Sequence, residues 1–364
     1  MAPAEGPDRD WSDLPPELIR LLSRKLTDIF DFVRFRVVCK RWRSAVRASD
    51  LPPQLPWITD ECWTLERGYL RFYSLLTGKT YTVRVQQSSD GELVMGSAYN
   101  YVLSYDYLTQ DCSLFNPLTN EELLLPPSQI MFPWCVPSGL SPDQSSRYVI
   151  MSTNVNLRTT HLIFCKLGDL EWTNIQEEIP WCEFYTGGGK FINEGFAFHA
   201  GMCYASDTVD GFTEVINLAT RTVMYVVPQP KSHLTEDFVY LVVSSGEILR
   251  VCQYNKYSRE PCFFRIYRLE LSSRDGNVVN PCWIEIDNLS GQFLFLHEKH
   301  GCAFRADDFP GFIGNNIYFL KQMFEDFAYE LFRYDIKDGN VEVLHVPIKL
   351  GRSWFVPSLC QQIA

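Results

Sequence analysis

Two patterns of apolar and polar positions divide the chain. Between residues 14 and 46 apolar side chains recur every three or four positions: Leu18, Leu21, Leu22 and Leu26, then Ile29, Phe32, Val33 and Phe35, then Val38, Trp42, Ala45 and Val46. That spacing predicts three short amphipathic helices. Pro15 and Pro16 suit a first helical turn, where their missing N–H groups would have no intrahelical partner, and Glu17 behind them favours the positive end of the helix dipole. Thr27-Asp28 stops the first helix and caps the second. The third begins near Val37 or Val38, and Asp50-Leu51-Pro52-Pro53 ends the unit. Forty residues are too few to bury this many large apolar side chains alone. Some must pack on the following domain or on another protein.

From residue 60 onward the pattern changes to short runs rich in Val, Ile, Tyr and Phe, punctuated by Gly, Asn and Asp. Four stretches share one plan of strand, polar turn and strand: LRFYSLLTGKTYTVRV (70–85), SLFNPLTNEELLLPP (113–127), EVINLATRTVMYVVP (214–228) and LFRYDIKDGNVEVLHVP (331–347). Looser copies are LIFCKLGDLEWTNI (162–175) and FRIYRLELSSRDGNVVNPCWIEI (264–286). Each reads as a β-hairpin. Upstream of five of them lies a further strand: YVLSYD (101–106), YVIMS (148–152), MCYAS (202–206), ILRVCQY (248–254) and IYFL (317–320). Steps between hairpins run from 43 to 52 residues, with one of 67, a period that suits four-stranded propeller blades of the kelch kind. A closed ring also hides the sheet edges that an open array would expose. The predicted fold is therefore α+β in two domains, three helices followed by an all-β propeller of about six blades. Its parts are a flexible N-terminus (1–10), a helical unit (11–50), a Pro-rich linker (51–59) and the β-domain (60–364).

Composition and charge narrow the function classes. The chain has 364 residues, 46% hydrophobic and 21% charged, which is ordinary for a globular protein. Its net charge of −11 is unevenly spread, since residues 1–50 hold ten Lys or Arg against eight Asp or Glu and the remainder holds twenty-three against thirty-six. An acidic β-domain argues against nucleic acid as a partner, because phosphate neutralisation needs a basic face. The basic run from Arg34 to Arg47 reads as a solvated helix face. The opening MAPAEGPDRD lacks the features of a secretory signal, and no apolar stretch approaches eighteen residues, so no membrane role is expected. Twelve scattered cysteines without C-x-x-C spacing read as small buried hydrophobes in a reducing compartment, cytoplasmic or nuclear.

The helical unit carries a specific resemblance. Leu14-Pro15-Pro16-Glu17-Leu18, an apolar spacer ending at Leu26, and Asp31-Phe32-Val33-Arg34-Phe35-Arg36-Val37-Val38-Cys39-Lys40-Arg41-Trp42-Arg43 together resemble the F-box motif in order and spacing. The resemblance implies that Leu14, Pro15, Leu18, Leu22, Val33, Val37, Cys39 and Trp42 either build the unit's own core or dock the Skp-type adaptor of a cullin ubiquitin ligase. Ile29 and Phe30 depart from it, standing where the family often has a more polar turn. The β-domain is similar to the plant F-box-associated domain of KIB type, through NPLTNEELLLPP, IFCKLGDLEWTNI, GFAFHAGMCYAS, YLVVSSGEILRVCQYN, FRIYRLEL with CWIEIDNLSGQFLFL, and FPGFIGNNIYFL. That likeness implies a β-propeller and brings no catalytic residues with it.

Candidate chemistry is sparse. Gly78-Lys79-Thr80 and Gly187-Gly188-Gly189-Lys190 lack the earlier glycine of a phosphate loop, having Tyr73 and Phe184 in its place, and read as turns. His297-Glu298-Lys299-His300-Gly301-Cys302 is the most metal-like cluster, but its histidines are not four apart on a helix, and a polar loop explains it. No catalytic residue, metal or cofactor is assigned. Two aromatic connections, Ile130 to Trp134 and Ile179 to Tyr185, supply Phe132, Trp134, Trp181, Phe184 and Tyr185, which either pack between blades or anchor a protein target. The expected function is a substrate receptor of a cullin ligase that joins adaptor and cullin to an unidentified target. A non-degradative scaffold and a propeller enzyme with a scattered site are the alternatives.

Overall fold

The computed structural model describes residues 10–60, 68–85, 92–98, 100–106, 108–127, 137–138, 148–156, 159–174, 195–206, 212–231, 234, 236–256, 258–271, 280–297, 300–323 and 328–359. Three helices come first: α1 (Pro16–Ser23), α2 (Ile29–Arg36) and α3 (Lys40–Ala45). Asp28 caps α2, its carboxylate accepting the Phe30 N–H at 2.9 Å. The third helix starts later than its periodicity suggests, because the Cys39 thiol caps it by accepting the Trp42 N–H. Val37 and Val38 therefore lie outside it and are exposed.

Four four-stranded sheets follow along the chain. They are β4 (Glu92–Ala98), β5 (Tyr101–Asp106), β6 (Cys112–Asn116) and β7 (Glu121–Leu125); β8 (Pro137–Ser138), β9 (Tyr148–Asn156), β10 (Thr159–Lys166) and β11 (Thr173–Asn174); β12 (Gly195–His199), β13 (Met202–Ser206), β14 (Phe212–Asn217) and β15 (Thr222–Pro228); and β16 (Phe238–Ser244), β17 (Glu247–Tyr254), β18 (Phe263–Glu270) and β19 (Cys282–Ile286). Each is an antiparallel meander. The fifth blade is built from β20 (Gln292–His297), β21 (His300–Arg305), β22 (Asn316–Gln322), β23 (Tyr329–Asp335) and β24 (Val341–Leu344), with β20 inserted parallel to β22. The sixth joins both ends of the domain. The late strand β25 (Leu350–Phe355) pairs with β1 (Trp57–Asp60), which continues into β2 (Tyr69–Ser74) and β3 (Lys79–Arg84). One residue pair, Tyr329 with Leu350, links the fifth and sixth blades into a single nine-stranded sheet.

The sheets close a ring through their inner strands: β4 touches β8, β8 touches β12, β12 touches β16, β16 touches β21, β20 touches β25, and β25 touches β4. The approach is tight. A Cβ on Gly195 of β12 would stand 2.8 Å from the Val239 carbonyl oxygen of β16, so only glycine fits there. All six hairpins expected from the repeats are the two outer strands of successive blades, and all five upstream strands are their inner neighbours. The segment read as a linker is partly structural, since Gln54 to Asp60 are buried and β1 begins at Trp57.

The turn repeat has a physical basis. In the β6–β7 turn Asn116 Oδ1 accepts the N–H groups of Leu118 and Thr119 at 2.9 and 3.3 Å. Asn217 does the same for Ala219 and Thr220, and Asp335 for Lys337 and Asp338. Four residues after the capping side chain the backbone turns left-handed, at Asn120 (φ 57), Arg221 (φ 55) and Gly339 (φ 70), and at Gly78 (φ 66) in the β2–β3 turn, where Ser74 caps. The recurring polar residue and the Gly, Asn or Arg behind it thus hold one bend in four blades.

Candidate functional site

The helical unit turns an apolar face outward. Periodicity puts Leu18, Leu21 and Leu22 on one face of α1 without saying whether it is buried; they are 46%, 55% and 45% exposed, and the buried residues are Ile19 and Ser23. Val37 and Val38, between α2 and α3, are exposed as well, and so is Pro15, directly before α1. The unit's own core is Ile19, Phe32, Trp42, Ala45 and Val46, with Leu14, Leu26, Phe35 and Cys39 packed partly against it. Of the eight residues singled out from sequence, Pro15, Leu18, Leu22 and Val37 are exposed, and Leu14, Val33 and Cys39 are half-buried. Trp42 is internal: its ring sits 4.3 Å from that of Phe35 and its indole N–H donates to the Trp11 carbonyl at 3.2 Å. An indole with one N–H to satisfy does better in this core than on a docking face, so Trp42 leaves the set of contact residues.

Within the basic run Arg34, Lys40, Arg41, Arg43 and Arg47 are exposed, and Arg36 is half-buried. Arg20 Nε and Arg36 Nε donate to the carbonyls of Ala45 and Val46, each at 3.0 Å, and close the C-terminal end of α3. Arg41 pairs with Asp13 at 2.9 Å and Arg34 with Asp31 at 3.1 Å. These guanidinium groups stabilise the helix unit and are not arrayed for phosphates.

The helices sit on the sixth blade through a junction that sequence reasoning missed. Asp28 Oδ2 accepts Lys79 Nζ at 2.7 Å and the Tyr81 hydroxyl at 2.9 Å, while the same carboxylate caps α2. Burial would raise this carboxyl, but the Lys79 ammonium, the Tyr81 hydroxyl and the Phe30 N–H hold it below the ordinary value. Burial, with the Asp28 charge adding to it, pushes Tyr81 up to about 12. Ile29 is buried against the ring, and Phe30 lies 5.0 Å from Tyr81 and 6.2 Å from Trp57. The two apolar residues that depart from the usual motif are the ones that meet the ring. The signal was therefore present, as a departure without a partner.

The aromatic candidates Phe132, Trp134, Trp181, Phe184 and Tyr185 lie outside the described residues, as does Gly187 to Lys190. The strands leading to the aromatic segments, β7 and β11, run away from the helices and end on the opposite rim. On that rim the loop from Asn255 to Cys262 is held by Lys321 of β22, whose Nζ donates to the Asn255 and Ser258 carbonyls at 3.3 and 2.9 Å. Below it Arg250, fully buried, pairs with Glu236 at 2.7 Å and donates across the blade boundary to Ser206 and Thr213.

Four residues of the metal-like cluster lie on strands: His297 ends β20 and pairs with His300, which begins β21, and Gly301 and Cys302 continue β21, while Glu298 and Lys299 lie outside the described residues. Among the described residues no group of three His, Cys, Asp or Glu side chains could hold a metal ion. The described cysteines are free thiols; Cys165 and Cys252 lie in the core, where burial pushes them up to about 12 and about 11, whereas Cys282 is exposed. Gly78-Lys79-Thr80 forms a turn and the start of β3, as expected. No helix among the described residues is long and apolar enough to cross a membrane.

Comparison with known proteins agrees with both halves. A family model described as KIB1-4 beta-propeller matches residues 72–344, and one described as F-box domain matches residues 11–53. A putative F-box protein of Arabidopsis thaliana is 48% identical over 349 residues, covering 85% of this chain and 87% of its own length. A putative F-box/kelch-repeat protein of the same plant is 24% identical over 353 residues, covering 88% and 89%. Among solved structures, the β-propeller domain of Cps50 from Myceliophteria thermophila is similar at a TM-score of 0.39 and 12% identity, covering 82% of this chain and 88% of that one.

Proposed function

Since the chain belongs to the KIB1-4 β-propeller family and carries an F-box ahead of its ring, we propose that it is the target-recognition subunit of a cullin ubiquitin ligase, acting without catalysis of its own. F-box domains bind Skp1-type adaptors. The observation that carries the reading here is the set of exposed apolar side chains Leu18, Leu21 and Leu22 on α1, with Pro15 ahead of it and Val37 after α2, none of which belongs to the helix core cluster. Such a set is costly in water unless another protein covers it. The contribution to reaction rate is proximity: the adaptor end is tethered to the ligase, and the ring holds a target lysine within reach of the conjugating enzyme. Support for the far rim as the target face comes from its position opposite the helices and from the lysine-pinned loop 255–262. This role places the protein in the cytoplasm or nucleus.

The test is binding of a Skp-type adaptor to the full chain. Full burial of a leucine stabilises by roughly 1.5–3 kcal/mol, and these leucines are already half-covered. At about 1.4 kcal/mol per tenfold, Leu18→Ala with Leu22→Ala should weaken adaptor binding by about ten- to a hundredfold. The thermal transition of the ring should not move, because these side chains do not touch it. Adaptor affinity equal to wild type would overturn the docking reading. Ubiquitin transfer to a captured target, in a complex reconstituted with cullin, separates a degradative receptor from a scaffold.

A further inference from the structure

The helical unit does not complete its core from its own residues. Leu359, from the far end of the described chain, packs against the cluster of Ile19, Phe32, Trp42, Ala45 and Val46. The same side chain lies against the ring cluster that contains Trp57, Leu70, Phe72, Tyr81 and Phe355. It arrives there by a defined route. Strand β25 ends with Phe355 opposite Trp57, and the Phe355 ring lies 5.1 Å from Phe72. The chain then crosses the helix-bearing face of the ring with Pro357 and Ser358 buried. Asn116 at the end of β6 donates its Nδ2–H to the Ser358 carbonyl at 3.2 Å, both groups being buried. One four-residue segment therefore touches the first blade, the sixth blade and the helices.

We propose that residues 356–359 are a strap that couples closure of the ring to the fold and orientation of the docking helices. With β25 seated, Leu359 fills the helix core and the exposed leucines of α1 are presented in one orientation relative to the ring. With the strap displaced, the helices keep their contacts through α2, at Asp28, Ile29 and Phe30, and through Leu51 and Gln54 of the connection to β1, but α1 and α3 lose a shared core neighbour. The part of this inference that concerns adaptor capture rests on the docking reading above. The part that concerns helix order does not.

The experiment compares amide hydrogen exchange and adaptor affinity in full-length variants. Leu359→Asp puts a charge into the helix core, and Leu359→Met is its conservative control. Asn116→Asp keeps the Oδ1 that accepts the Leu118 and Thr119 N–H groups, but replaces the donor facing the Ser358 carbonyl with an acceptor, and it touches no helix. Both aspartate variants should exchange the amides of α1 and α3 at least tenfold faster than wild type, with the amides of β16 to β18 unchanged. Adaptor binding should weaken by a similar factor, and Leu359→Met should restore both. Leu18→Ala should weaken adaptor binding with no change in exchange of the free chain. Wild-type exchange of α1 and α3 in Leu359→Asp and Asn116→Asp would overturn the strap. Faster exchange in a protein whose wild type binds no adaptor would leave the strap standing and remove the docking reading. Should Leu359→Asp fail to fold, Asn116→Asp decides the outcome.

Discussion

At the scale of single residues, Asp28 does three jobs with one carboxylate: it caps α2, receives the Lys79 ammonium and receives the Tyr81 hydroxyl. Losing a helix cap costs about 0.5–2 kcal/mol. Asp28→Ala should therefore destabilise the helix–ring junction by about 1–2 kcal/mol, whereas Asp28→Asn, which still caps, should cost less. Thermal unfolding followed by far-ultraviolet circular dichroism would rank them, and equal losses would show that the cap is not what matters. The pH dependence has a definite sign. The Asp28 carboxyl titrates below its ordinary value in the folded chain, so the unfolded chain binds the proton more tightly. Its stabilisation is complete above the ordinary carboxylate range and fades as pH falls through the lower, folded value. Tyr81 works from the other side, its raised value of about 12 meaning a contribution that is complete below the ordinary phenol range and fades as pH rises past it. Asp28→Asn should flatten the acid limb of the stability profile and soften the alkaline limb, leaving there the part that burial of Tyr81 causes.

Among elements, the hairpins and the strands beside them were legible and the innermost strands were not, for reasons that particular residues show. Asn116, Asn217 and Asp335 each announce a turn by a side chain that bonds its own backbone, and the left-handed residue four positions on must be Gly, Asn or, at some strain, Arg221. Gly78 meets nothing within 4 Å where a Cβ would be, so Gly78→Ala tests the backbone alone. It should cost about 1–2 kcal/mol through the left-handed φ, measured by denaturant unfolding; an unchanged midpoint would mean that the turn relaxes to another geometry. By contrast β12 reads GFAFH and β16 reads FVYLVVS, both buried nearly throughout. Strands covered on both faces lose the alternation that marks a half-buried strand. The pairing of β1 with β25 was illegible because nothing local encodes it. On the helices, the apolar stripe of α1 was visible but its direction was not, since an outward-facing docking row and an inward-facing core row have the same period. Ile19 differs from Leu18 and Leu22 only in what the rest of the chain places against it.

For the whole molecule, the sixth blade makes the two ends of the β-domain depend on each other. Deleting residues from Leu350 onward would uncover one edge of β1, whose Trp57, Ile58 and Thr59 are almost wholly buried. An unpaired apolar edge is a template for another chain. The truncated protein should lose its cooperative thermal transition and elute as soluble aggregates in size-exclusion chromatography, and a monomer of wild-type stability would show that the ring does not need its last strand. The same arrangement bears on how the protein is made. Ribosomes add about 5–20 residues per second, and Asp60 of β1 must wait for Leu350. For on the order of 15–60 s the nascent chain therefore carries β1, β2 and β3 as an unfinished blade. The five other blades can each form as they emerge, apart from the β20 insertion. The cell's chaperones thus face a predictable hazard, an apolar strand, β1, whose partner β25 is not synthesised until the other five blades have been.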